Sequence, residues 1–121
     1  MAMKKDRIRG NTIYWTFRDG PTAGMKFEHV FLKSGAVKYG MADGAKNGKM
    51  TREKKYEVAN ISPDVDAVSY LGSSGYTLTV VMDFRTGRAV GFASNAKELV
   101  LQHGTFEVAG TARKARKRGK R

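Results

Sequence analysis

The stretch Val68–Ser94, VSYLGSSGYTLTVVMDFRTGRAVGFAS, decides how this chain folds. Apolar and polar side chains alternate along it, the mark of half-buried strands, and two segments ending in glycine, Ser73-Ser74-Gly75 and Arg85-Thr86-Gly87, divide it into three. Glycine at the end of a three-residue hairpin loop supplies positive φ without a Cβ clash. Reading both segments as such loops pairs Tyr70 with Leu78, Val68 with Val80, Met82 with Val90 and Val80 with Phe92. The even-numbered residues then form one apolar face, and Thr77, Thr79, Asp83 and Arg85 form the other. A two-residue loop would slip the register by one and set Tyr70 against Thr77, so the alternation selects the longer loop.

The same loop recurs upstream as Lys33-Ser34-Gly35, between strands over Met25–Leu32 and Ala36–Ala42. It pairs Phe31 with Val37, His29 with Tyr39 and Phe27 with Met41, which puts His29 on the apolar face. A first strand near Asn11–Arg18 turns Ile13, Trp15 and Phe17 to one side. A fourth, over Arg52–Ile61, turns Tyr56 and Val58 inward and Lys55 and Glu57 outward. Asn95 followed three residues later by Glu98 has the form of a capping box and predicts a short helix near Ala96–Leu101. Gly104–Ala109 supplies the last strand, with Phe106 and Val108 inward. Eight strands, each beside its sequence neighbour, leave two edges that closure removes. The expected fold is all-β, an eight-stranded antiparallel up-and-down barrel with one short helix before the last strand. Such a barrel encloses a lumen just able to hold a small ligand. Residues 1–9 are polar and expected to fray, 10–110 form the barrel domain, and 111–121 are expected to be a disordered basic tail.

The chain has 121 residues, enough for one core, and no cysteine, which excludes disulfide frameworks and thiolate chemistry. No apolar run reaches the length of a membrane span, so no membrane partner is expected and the expected location is the cytoplasm. The net charge of +12 is mostly local: seven of the 23 basic residues lie in the final RKARKRGKR, leaving 16 basic against 11 acidic residues before it. A tail of this kind is either solvated or an arm for non-specific polyanion contact, with Arg113, Lys114, Arg116, Lys117 and Arg118 as the nucleic-acid-facing candidates. The aromatics count as inward, so the surface stacking platform of a single-strand binder is missing. His29 and His103 have no metal-ligand spacing, and Asp43–Lys49 (DGAKNGK) lacks the Walker spacing. No metal and no cofactor are expected.

The runs VSYLGSSGYTLTVVMDFRTGRAVGF and FEHVFLKSGAVKYGMADG resemble the MoaF-like branch of the calycin, or lipocalin-like, barrels. That branch is named for a molybdenum cofactor biosynthesis protein and is similar to the phenolic acid decarboxylases. The resemblance covers roughly Gly10–Val108 and implies a small-molecule pocket inside a barrel, often in a homodimer. Phenolic acid decarboxylases carry two tyrosines spaced by one residue on the first strand, with an arginine and a glutamate inside. Here Ile13-Tyr14-Trp15-Thr16-Phe17 holds one tyrosine, which counts as outward, as does Glu57. The likeness to the decarboxylases is therefore one of fold. The MoaF resemblance itself implies no defined reaction.

On this reading the lumen is lined by Trp15, Phe27, His29, Tyr39, Tyr56, Tyr70, Leu78, Val80 and Phe92, with Tyr76 also on the lumen face. An apolar cavity with a few hydroxyls suits a small apolar or aromatic molecule. His29, between Phe27 and Phe31 and opposite Tyr39, is either a pocket group or a core histidine satisfied by a tyrosine hydroxyl. Burial predicts a neutral imidazole at pH 7. Three functions are open: a small-molecule-binding barrel; a cofactor-independent lyase or isomerase acting on a phenolic or carbonyl compound, with His29 and Tyr39 as acid–base groups; and nucleic-acid binding through the tail.

Overall fold

In the computed structural model, which describes residues 6–42 and 50–109, the alternating pattern builds nine antiparallel strands. They are β1 (Thr12–Phe17), β2 (Lys26–Phe31), β3 (Val37–Met41), β4 (Thr51–Glu53), β5 (Tyr56–Ser62), β6 (Val65–Leu71), β7 (Thr77–Asp83), β8 (Arg88–Ser94) and β9 (Leu99–Val108). Their order in the sheet is β4-β3-β2-β1-β9-β8-β7-β6-β5. β1 pairs with both β2 and β9, so the first and last strands meet. The two outermost strands, β4 and β5, are separated in the chain by Lys54-Lys55 alone. They are the strand expected over Arg52–Ile61, broken in two, with its first part on β3 and its second on β6. The sheet is thereby a nearly closed barrel with a seam at the break. The cause is the lysine pair. In an unbroken strand with Tyr56 inward, Lys54 would also point inward; the break leaves both lysines exposed.

Two of the three glycine loops are as expected. Leu32 N donates to Ala36 O and Gly72 N to Tyr76 O, closing three-residue loops in which Gly35 and Gly75 take φ of 108° and 107°. The pairings Phe31–Val37, His29–Tyr39, Phe27–Met41, Val68–Val80 and Tyr70–Leu78 follow. The third loop is one residue longer. Asp83 pairs with Arg88, and the Asp83 carboxylate accepts the Arg85 and Thr86 amides, building the turn from its own side chain. Phe84 is thereby drawn out of the strand, onto Phe106. The register of β8 shifts by one: Met82 faces Ala89 and Val80 faces Gly91, not Val90 and Phe92. Phe92 consequently lies on the outer surface, 37 % exposed.

The predicted helix at Ala96–Leu101 is replaced by a hairpin turn. Asn95 Oδ1 accepts the Lys97 and Glu98 amides, as a helix cap would, but Asn95 N donates to Glu98 O and β9 starts at Leu99. The same side-chain bonds serve either structure.

Asp6–Arg9, expected to fray, instead close one end of the barrel. Ile8 is fully buried, Arg7 pairs with buried Asp66 at 3.1 Å and lies over Phe84, and Arg9 lies over Tyr56. Residues 1–5, the DGAKNGK segment and the tail, including Arg113, Lys114, Arg116, Lys117 and Arg118, lie outside the described residues.

Candidate functional site

With one end plugged, the lumen opens at the other, among the β1–β2, β6–β7 and β8–β9 connections. A cavity of about 400 Å³ lies there. Its inner wall is Trp15, Phe17, Phe27, His29, Tyr39, Tyr70 and Leu78, and its rim includes Pro21, Thr22, Ser74, Tyr76 and Glu98. The rim is held by side-chain hydrogen bonds. Gln102 Nε2 donates to Asp19 O and to Thr22 Oγ1, and the Asp19 carboxylate accepts the His103 amide and contacts His103 Nδ1 at 2.8 Å. These bonds tie the β1–β2 connection to β9.

Among the described residues, the inner wall's one imidazole is His29, 2 % exposed and stacked on Trp15 with ring centroids 3.9 Å apart. Tyr39 stacks at 5.3 Å. Burial with no compensating charge drives the His29 pKa down to about 3, so the ring is neutral at pH 7. Its Nε2 shares a 2.8 Å hydrogen bond with the Tyr70 hydroxyl, and its Nδ1 has no hydrogen-bond partner. The expectation of a histidine–tyrosine bond holds with a different tyrosine. Tyr39 stacks on the ring while its hydroxyl donates to Glu53 at 2.8 Å.

Glu53 is buried at the seam, where its Oε2 also accepts the Ser73 amide and hydroxyl. The carboxylate thus bridges Tyr39 of β3 to the β6–β7 loop across the seam, beside the backbone bond from Tyr56 N to Gly35 O. Burial pushes its pKa up, but the hydrogen bonds from Ser73 N–H, Tyr39 and Ser73 hydroxyl outweigh it and hold the carboxyl below its ordinary value. In turn, burial and then the Glu53 bond raise Tyr39 to about 12. Tyr70 is raised chiefly by burial. On the rim Tyr76 donates to Glu98 at 2.6 Å.

Of the nine residues predicted to line the lumen, Trp15, Phe27, His29, Tyr39, Tyr70 and Leu78 line this cavity. Tyr56 and Val80 belong to the packed core: Tyr56 donates to Leu32 O and meets Phe31 edge-on, and Val80 is fully buried. Phe92 is outside. Sequence reasoning missed Glu53, because unbroken parity from Tyr56 turns residue 53 outward; the Lys54-Lys55 pair was the available signal. It also missed Glu98, placed in the expected helix, and Gln102, left between that helix and the expected last strand. Tyr14 and Glu57 lie on the outer side, as counted. No group of three or more metal-ligating side chains occurs among the described residues.

The fold and cavity define a small antiparallel barrel with one accessible lumen. The MoaF N-terminal domain family matches residues 1–98, and the chain belongs to that family. No curated protein matches it. Among solved structures it is similar to a Burkholderia vietnamiensis protein described as a candidate beta-lactamase, with 15 % identity, a TM-score of 0.68, and coverage of 88 % of this chain and 99 % of that one. At that identity the likeness is one of fold.

Proposed function

We propose that the open lumen binds a small apolar or aromatic molecule carrying one hydrogen-bonding group. The observation that carries this reading is the cavity of about 400 Å³, aromatic-walled, with the His29–Tyr70 pair on its inner wall. That size falls within the usual range for small-molecule sites, which combine apolar walls with a few placed polar groups. An acid–base lyase or isomerase using His29 and Tyr39 is less well supported. Burial leaves His29 a weak base, and the Tyr39 hydroxyl is engaged by Glu53.

The test is His29→Phe, titrated with 4-tert-butylphenol and read by the fluorescence of Trp15, the one tryptophan of the chain. The variant should fold with a loss of roughly 1–2 kcal/mol, since the ring volumes are similar. Its affinity for the phenol should fall about tenfold, the worth of one buried hydrogen bond. A folded variant with unchanged affinity would make His29 a core residue only. Failure of the wild type to bind the phenol would contradict the proposal.

A further inference from the structure

The electrostatics of the lumen bear on which ligand it takes. Trp15, Phe17, Phe27, Tyr39, Tyr70 and Tyr76 present rings to the cavity. An aromatic ring is negative on its face, and a hydroxyl that donates its proton to a carboxylate leaves more electron density on its ring. Two of these tyrosines do so, Tyr39 to Glu53 at 2.8 Å and Tyr76 to Glu98 at 2.6 Å. Glu98 itself lies on the rim, and Glu53 stands behind Tyr39. Among the described residues lining the cavity there is no lysine or arginine. Lys97, next to Glu98 in the turn, is exposed and is not part of the lining, and the other nearby acid, Asp19, is engaged by His103. His29 is neutral. An organic cation entering this space meets aromatic rings and, at the rim, a carboxylate, whereas a carboxylate ligand meets no opposite charge.

We propose that the lumen selects an organic cation, an aryl or alkyl ammonium, over neutral and anionic molecules of the same shape. The inference rests on the lumen being a small-molecule site. It specifies the charge of what enters. The recognition is that of an aromatic cage, in which the ammonium is attracted to the rings without a dedicated salt bridge.

Phenyltrimethylammonium, its neutral isostere tert-butylbenzene, and benzoate separate these statements, each titrated against the full chain with Trp15 fluorescence as the readout. The cation should bind about tenfold tighter than tert-butylbenzene, and benzoate weakest. In Glu98→Gln, which keeps an acceptor for Tyr76, the ratio of cation to neutral affinity should fall by about threefold, and the wild-type ratio should shrink as salt rises. Equal affinity for the cation and tert-butylbenzene, or a preference for benzoate, overturns the charge selection and leaves the lumen reading standing. Failure of all three probes to bind overturns the charge selection, and failure of 4-tert-butylphenol as well overturns both.

Discussion

Gly104→Ala should cost roughly 3 kcal/mol or more of folding stability. Gly104 lies in β9 where that strand pairs with Phe17 of β1 on one side and Ala89 of β8 on the other. A Cβ at this position would lie deep inside van der Waals contact with the Thr16 carbonyl oxygen and 2.8 Å from the Phe17 Cα. Both are backbone atoms of the neighbouring strand, so no side-chain rotation relieves the clash. β1 and β9 must separate, and their pairing is what joins the first strand to the last. Gly91→Ala makes a useful comparison. There the added carbon would meet the tip of the Phe17 ring at 2.7 Å, a side chain that can turn, and a smaller loss of about 1–2 kcal/mol is expected. Urea unfolding of the two variants gives the comparison directly. If Gly104→Ala unfolds within about 0.5 kcal/mol of the wild type, the close approach of β1 and β9 is wrong.

Glu53→Ala should be the next most damaging change, at roughly 2–4 kcal/mol, because it leaves the Tyr39 hydroxyl and the Ser73 amide without their shared acceptor at the seam. Glu53→Gln should cost less, since an amide oxygen still accepts. The pair also carries a pH signature. The folded carboxyl titrates below its ordinary value, so its contribution is complete above about pH 4.5, the unperturbed value, and is lost as the pH falls through the lower folded value. Wild-type stability should therefore decline with acid more steeply than that of Glu53→Gln. Parallel curves from pH 6 to pH 2 would show that the carboxylate does not hold the seam.

Both variants probe places where local pattern and tertiary structure diverge. Parity along β1, β2, β3, β6 and β7 was readable because each strand carries an uninterrupted alternation and two of its loops end in a glycine that requires positive φ. From those strands came Trp15, Phe27, His29, Tyr39, Tyr70 and Leu78, the larger part of the cavity wall. The misplacements have local causes. Asp83 caps its own turn and adds a residue to the loop, a choice that pairing rules for a glycine-ended segment do not distinguish, and Phe92 moved outside as a result. Asn95 makes the bonds of a helix cap in a turn too tight to begin a helix. Lys54-Lys55 break a strand that hydrophobic alternation alone continues, and the break is what brings Glu53 inside. The partner of His29 depended on barrel curvature: Tyr39 is its cross-strand neighbour, but the hydroxyl within reach belongs to Tyr70, on a strand far away in the sheet order.

The most direct test of the lumen as a binding site is a nuclear magnetic resonance titration of the full chain with 4-tert-butylphenol, a neutral probe that carries one hydrogen-bonding group. The largest shift changes should fall on Trp15, Tyr39, Tyr70 and Leu78 at the cavity wall, with the outward-facing Phe92 and Leu101 unmoved. Saturable shifts centred on Phe92 and Leu101 instead, or no saturable shifts at the wall, would contradict the account.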